Sequence, residues 1–334
     1  MKKYQIKGDF FDCQIHRDYL YIWDMEGMLS LYDWGGIKHK LQEFPNAKGI
    51  HKNIKAFERF RQGLPVEVVG GMFPTDTAFI GKYLYTAVES GLYRGSAVID
   101  AYKKSRFVTS SKPIRVWDCP PLSLTANYSG MQLAISTGEE GLFEINLSKD
   151  TETRGLRRIT GNIFEVSKKN AIRSRYVKFS SIYSTDENMT KSLHAFRITK
   201  NNNGGIVRTY NQDYDFSSIL HQGMWESIHG TESFSCISRI TPKGIEVYPL
   251  YKKQKRISQK PRIEMEGTKH KLIAVEPVSF GKIIEYENGL QLRKKNGQEL
   301  IKINTPITRW RWIHKNGRSS LIVVLDDCLE IYEF

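Results

Sequence analysis

Apolar and polar positions alternate in short runs along most of the chain, and the runs come in pairs separated by an acidic or glycine-containing turn. The pattern reads "LYIWDMEGMLSLYD" at 20–33, "YLYTAVESGLYRG" at 83–95 and "QLAISTGEEGLFEINL" at 132–147. It continues as "FSSIYSTDENMTKSLHAFRI" at 179–198, "FSCISRITPKGIEVYPL" at 234–250, "KIIEYENGLQLRK" at 282–294 and "LIVVLDDCLEIYEF" at 321–334. Period-two runs rich in β-branched and aromatic residues, joined by E-G, S-G, K-G or N-G turns, predict β-hairpins. Seven hairpins in this length give about 48 residues per unit, close to the spacing of WD40 and kelch blades.

Each unit carries one further strand before the hairpin and one after it, here named a to d in order. In the third unit strand a falls near Leu122–Ala126, b at Leu133–Ser136 and c at Leu142–Leu147. That stretch, "PLSLTANYSGMQLAISTGEEGLFEINL", resembles a WD40 repeat, and "LSLYDW" places Tyr32-Asp33 where that family has its Trp-Asp pair. The family's Gly-His is missing throughout, and Trp23-Asp24 and Trp117-Asp118 stand elsewhere in the unit. The resemblance implies architecture: one all-β domain over 1–334, a seven-bladed β-propeller of four-stranded antiparallel blades. It carries no functional residues.

The last unit has strand a near Ile307–Ile313, b near Leu321–Leu325 and c near Leu329–Phe334, and it lacks a fourth strand. A strand inside a sheet needs a partner for its backbone groups. "KKYQIKG" precedes the first unit, so residues 1–7 are expected to serve as the outer strand of the last blade and close the ring. Between Trp34 and Leu64 the first unit is oversized. Ile50, Ile54, Phe57 and Phe60 recur there at helical spacing, which predicts a short basic amphipathic helix over roughly 50–62 within an insert at 35–63. "KNNNGG" at 200–205 reads as a loop.

Composition adds charge to this picture. The 334 residues hold 50 Lys and Arg against 36 Asp and Glu, a formal net charge of +14. Such an excess favours nucleic acid, an anionic membrane or an acidic protein as partner. The repeat sorts the charge. The b–c turns hold Asp24, Glu26, Glu89, Glu139, Glu140, Asp186, Glu187, Glu287, Asp326 and Asp327, with Lys191 and Lys243 against the trend. The c–d segments hold Lys38, Lys40, Lys103, Lys104, Arg106, Arg154, Arg157, Arg158 and Lys200. They continue with Lys252, Lys253, Lys255, Arg256, Arg293, Lys294 and Lys295, and Lys2 and Lys3 join them at the closing junction. Opposite ends of strand c are opposite ends of a blade, so a cationic face and an acidic face are expected. The candidate binding residues are Lys252, Lys253, Lys255, Arg256, Arg293, Lys294, Lys295, Arg157 and Arg158, with Lys52, Lys55 and Arg59 from the insert.

Motifs for chemistry are scarce. The eight histidines form no HxH, HxxxH or HExxH spacing, and no GxSxG, P-loop or GxGxxG occurs. No catalytic residue, metal or cofactor is expected, and no small-molecule substrate. "ITRWRWIHKNGR" at 307–318 reads either as an aromatic and basic nucleic-acid surface or as a strand with Trp310 and Trp312 in the core and Arg309 and Arg311 on its other side; the second is favoured. "GLRRITG" at 155–161 only faintly resembles the Arg-Arg-Gly loop of phosphoinositide-binding propellers. Cys13, Cys119, Cys236 and Cys328 lie in apolar runs without a CxxC pair, as buried free thiols of a reducing, cytoplasmic compartment would. The N-terminus lacks an apolar segment of the signal-peptide kind, and no run of about 18 apolar residues suggests a membrane span. The expected function is a non-catalytic scaffold, a subunit of a protein or nucleoprotein assembly, that binds RNA, DNA or an acidic protein. The alternatives are a propeller hydrolase or lyase with a site at the axis, and peripheral binding to anionic membrane.

Overall fold

The computed structural model describes residues 1–42, 51–62, 66–69, 72–81, 83–96, 113–127, 132–146, 163–177, 181–185, 191–200, 206–215, 224–228, 235–241, 244–251, 256–257, 262–266, 272–278, 280–315 and 318–334, with backbone alone between 191 and 277. All seven predicted hairpins are present, each at the centre of its own antiparallel sheet.

The first sheet runs Phe10–His16, Tyr19–Asp24, Met28–Asp33 and Val66–Glu67. The second runs Asp76–Ile80, Tyr83–Val88, Gly91–Ser96 and Ile114–Trp117, and the third Ser123–Ala126, Gln132–Ser136, Leu142–Asn146 and Ile163–Ser167. The fourth comprises Arg173–Val177, Ser181–Thr185, Lys191–Lys200 and Ile206–Asp215. In the fifth, Met224–Ile228, Ser235–Thr241 and Gly244–Tyr251 are followed by two short pieces, Arg256–Ile257 and Arg262–Glu266, both paired to Gly244–Tyr251. The sixth runs Leu272–Val278, Gly281–Tyr286, Gly289–Lys294 and Glu299–Ile303.

The seventh sheet joins the two ends of the chain. Arg309–Lys315, Arg318–Val324 and Cys328–Glu333 are completed by Lys2–Lys7, which pairs antiparallel with Cys328–Glu333 from Lys2↔Glu333 to Lys7↔Cys328. The expected pairing of the N-terminal strand with the last strand is therefore present, although it is not the outermost strand of the sheet. A fifth strand, His51–Asn53, pairs parallel with Gln5–Lys7 and covers the outer edge.

The turns between strands b and c explain the glycines that start strand c. Gly91 has φ +131° and Gly141 φ +106°, and an added Cβ would come within 2.2 Å of the Trp117 and Ser167 carbonyl oxygens respectively. The hairpin therefore passes so close to the end of strand d that only glycine fits.

Consecutive sheets pack face to face. Tyr21, Trp23, Leu29, Val68, Leu84 and Val88 form the core between the first and second. Ala78, Ile80, Leu92, Leu124, Leu133 and Ile145 do so between the second and third, and Leu142, Ala171, Tyr176 and Ile182 between the third and fourth. Further along, Arg173–Val177 lies against Met224–Ile228, which lies against Leu272–Val278. Ile283, Leu290, Leu292, Leu321 and Val323 join the sixth and seventh sheets. Cys13, Leu20, Ile22, Ile322, Leu329 and Ile331 join the seventh back to the first.

The insert departs from expectation. The helix anticipated over 50–62 is instead the strand His51–Asn53 followed by a 3-10 helix at Ile54–Phe60, and an α-helix precedes it at Trp34–Gln42. Ile54, Phe57 and Phe60 are spaced by threes, which matches the three-residue turn of a 3-10 helix better than the 3.6 of an α-helix. The α-helix starts where the Asp33 carboxylate accepts the Gly36 N–H at 3.1 Å, an N-cap. Together these pieces seal the junction of the first and seventh sheets. Ile37 and Phe57 are buried in its core, the Trp34 ring stands edge-on to Tyr4 at 5.2 Å, and Trp34 Nε1 donates to Glu333 Oε1 at 3.1 Å. Among the described residues no helix is long and apolar enough to cross a membrane.

Candidate functional site

The described part of the predicted basic set lies at three places. Arg293 and Lys294 end strand c of the sixth sheet, and exposed Lys295 leads the turn to Glu299–Ile303. Arg293 Nε donates to Gln291 Oε1 at 3.0 Å and Lys294 Nζ to Gln298 Oε1 at 2.9 Å, so neutral amides hold these cations and leave their charge uncompensated by these contacts. Lys295 N–H donates to the Phe280 carbonyl, and the Phe280 ring lies tilted against Phe334, centroids 5.1 Å apart. The basic turn of the sixth sheet thus adjoins the end of the seventh, where Lys2 pairs with Glu333.

The second place is the insert. Lys52 lies in the strand His51–Asn53, and Lys55 and Arg59 are exposed on the 3-10 helix, with the Arg59 guanidinium over the Phe60 ring at 4.7 Å. Arg256 falls in the short outer strand of the fifth sheet. Lys252, Lys253, Lys255, Arg157 and Arg158 lie outside the described residues. Two other cations of the expected face are spent internally: Lys3 pairs with Glu330 at 2.7 Å and Lys38 with Glu333 at 3.1 Å.

The acidic turns occupy the other sheet ends. Asp24 and Glu26 lie between strands b and c of the first sheet, Glu89 in the second, Glu139 and Glu140 in the third, Glu287 in the sixth, and Asp326 and Asp327 in the seventh.

A charged cluster that the sequence reading did not single out ties the first strands of several sheets together. Asp12, in the first sheet, is fully buried and receives two guanidinium groups from the seventh. Arg311 Nε and Nη2 donate to Asp12 Oδ1 and Oδ2 at 2.8 and 2.5 Å, and Arg309 Nη1 to Oδ2 at 3.1 Å. In the second sheet, Asp76 Oδ1 accepts from Arg311 Nη2 at 3.0 Å, while its Oδ2 accepts the Leu124 N–H of the third sheet at 2.8 Å. Gln14 Nε2 donates to the Thr77 carbonyl at 3.1 Å, and Thr125 Oγ1 to the Ser174 carbonyl of the fourth sheet at 2.7 Å.

Burial alone would raise the Asp12 carboxyl. The charge and hydrogen bonds of Arg311, the charge of Arg309 and the Cys13 N–H outweigh it, so its pKa lies below the ordinary 3.8. Arg311, despite burial, is pushed further up by Asp12 and Asp76. Two carboxylates and two guanidiniums here neutralise one another. A general acid needs a raised pKa, and Asp12 has the opposite. One sequence signal was available: an acid inside the apolar run "FFDCQI" is a buried charge in need of a cation.

The strand reading of "TRWRWIHK" holds. Trp310 and Trp312 pack on the core of the sixth and seventh sheets, Trp310 Nε1 donating to Glu285 Oε2 at 2.7 Å. Arg309 and Arg311 reach the other way, to Asp12. Cys13 and Cys328 are buried free thiols, whereas Cys119 is only partly buried, a correction for that residue. His16 is structural: its ring stacks on Phe79 at 4.4 Å and Nε2 meets the Gly81 carbonyl at 3.1 Å. Among the described residues no group of three or more His, Cys, Asp or Glu stands together as a metal site. No protein-family model matches the chain, and no curated protein is significantly similar to it.

Proposed function

We propose that the chain is one domain, a seven-bladed β-propeller closed by its first and last strands, and that it is a non-catalytic scaffold binding polyanions through one cationic face. Seven consecutive sheets, each touching the next and the seventh touching the first, support the ring. Strand a of each blade is then innermost, and the Asp12, Asp76, Arg309 and Arg311 cluster lines the axis as a structural lock.

The observation that carries the functional reading is the opposition of charge at the two ends of the sixth sheet. In the sixth sheet Glu287 lies in the b–c turn and Arg293, Lys294 and Lys295 at the c–d turn, with no carboxylate on Arg293 or Lys294 among the described hydrogen bonds. Lys and Arg on one rim neutralise phosphates, release counterions and raise association rates. The sequence repeat assigns Lys252, Lys253, Lys255, Arg256, Arg157 and Arg158 to the same end of their units, and Lys55 and Arg59 of the insert are proposed to join them; Lys52 pairs level with Ile6 and Leu329, beside the acidic Asp326–Asp327 turn, and is left out of the rim. Nucleic acid is the first partner to test, as the densest linear polyanion.

Affinity purification of the full chain, with and without nuclease at low and moderate salt, tests the reading. Co-purifying nucleic acid, with other partners lost on nuclease treatment, supports a nucleic-acid platform. A protein partner retained in both arms makes the cationic face a protein-docking surface, and no salt-sensitive partner in either arm overturns the proposal.

A further inference from the structure

The acidic ends of the first three sheets carry exposed apolar side chains that the cationic-face reading does not use. Met25 is 57% exposed, Leu122 51%, Phe73 44% and Met72 42%. These residues are not scattered. Phe73 lies on the b–c turn of the first sheet, where a Cβ at Gly27 would meet its ring at 3.3 Å, and it packs edge-on to Phe11 at 4.3 Å. Met72 Sδ accepts from Ser90 Oγ in the b–c turn of the second sheet at 3.0 Å. Thr75 Oγ1 bonds the Ala87 and Pro121 carbonyls, which brings the second and third sheets together, and Leu122 rests on Gly138 of the third sheet's b–c turn. An apolar strip therefore crosses three neighbouring sheet ends.

Carboxylates border the strip on every turn it crosses. Glu26, Glu89, Glu139 and Glu140 are exposed, and among the described residues no Lys or Arg pairs with them. Exposed Lys168 and Lys169 lie beside the third sheet's turn and Arg115 beside the second's, where it pairs with Asp118, but Glu26, Glu89, Asp118, Glu139 and Glu140 outnumber them, so the border is net acidic in a chain of net charge +14. Phosphates are repelled here, so the strip cannot serve the partner of the cationic face. A second copy of the chain would bring two cationic bodies together. A narrow apolar strip with acidic borders fits an extended basic segment, and methionines adapt to varied anchors.

We propose that this strip docks a basic segment of a partner protein, a Lys- or Arg-rich stretch carrying one apolar anchor residue. The anchor packs on Phe73, Met25 and Met72, and the flanking cations meet Glu26, Glu89, Glu139 and Glu140. The surface is independent of the cationic rim.

A random peptide library displayed on phage and selected against the immobilised full chain tests this, followed by anisotropy with an enriched peptide. Enriched sequences are expected to place Lys or Arg around a Leu, Met or Phe. Phe73→Ser should weaken the peptide roughly tenfold or more, and Glu139→Gln with Glu140→Gln should weaken it and flatten its salt dependence. Lys294→Glu with Lys295→Glu should leave it unchanged, which separates this site from the polyanion rim. Enrichment of neutral or acidic peptides, no enrichment, or binding indifferent to both acidic-side variants overturns the proposal. Self-association in sedimentation that Phe73→Ser abolishes would also overturn it, by giving the strip to a second copy.

Discussion

The Arg311 guanidinium closes on the Asp12 carboxylate with two hydrogen bonds across 299 positions of sequence, joining the seventh sheet to the first. Among the described residues, removing Asp12 leaves Arg311 only Asp76 as a charged partner, and removing Arg311 leaves Asp12 only Arg309; loss of a buried charge's closest partner costs more than the net worth of the pair. Asp12→Ala and Arg311→Ala should each lower unfolding free energy by about 3–5 kcal/mol. Chemical denaturation of the full chain checks this; a loss below about 1 kcal/mol would show that the pair is not a lock.

The same pair sets an acid limit. The folded pKa of Asp12 lies below its ordinary value of 3.8, so its contribution is complete above that value and fades as pH falls through the lowered folded value. Wild type should therefore lose part of its stability at the acid end, below pH 3.8. Asp12→Asn should flatten that part of the profile, and thermal melts across the acid range would measure the difference.

Gly141→Ala should destabilise the third sheet. The residue has φ +106°, and its new Cβ would sit 2.2 Å from the Ser167 carbonyl oxygen, so both the backbone and strand d must shift. A loss of about 1–3 kcal/mol is expected. Gly297→Ala is the control for space: φ is +85°, but nothing lies within 4 Å, so only backbone strain remains and the loss should be smaller.

The insert separates stability from binding within one short helix. Phe57 is 1% exposed in the core that joins the first and seventh sheets, and Phe57→Ala should cost about 3–5 kcal/mol. Arg59, two positions on, is exposed; Arg59→Ala should change stability by less than about 0.5 kcal/mol while weakening oligonucleotide binding. Paired melts and binding curves on the two variants would show whether the two effects divide this way.

The hairpins were legible because a two-residue side-chain period and a glycine turn are local properties of a strand pair. The pairing of Lys2–Lys7 with the last strand was legible for a different reason: one unit was short of a strand and one strand was spare. The insert was misread because Ile54, Phe57 and Phe60 satisfy both helical periods, and because Gly35-Gly36 weakens the helix pattern that Asp33 caps. Asp12 and Arg311 illustrate what a single sequence withholds. Alternation placed Arg311 opposite the tryptophans, but nothing local could say that Asp12 would be its partner. The candidate site was legible only as a rule about which turns are basic, which gave Arg293, Lys294 and Lys295 their place but not the use of Lys3 and Lys38 by Glu330 and Glu333.

Salt-dependent binding of a single-stranded oligonucleotide to the full chain tests the central claim most directly, with wild type compared against Arg293→Glu, Lys294→Glu and Lys295→Glu combined. Steep weakening with salt is expected for wild type. The triple variant should bind more weakly at every salt concentration, with a log–log slope shallower by about two, roughly 0.7 for each phosphate of the single strand no longer neutralised. Binding that ignores salt, or a variant with the wild-type slope, would contradict the assignment of the cationic face as the polyanion site.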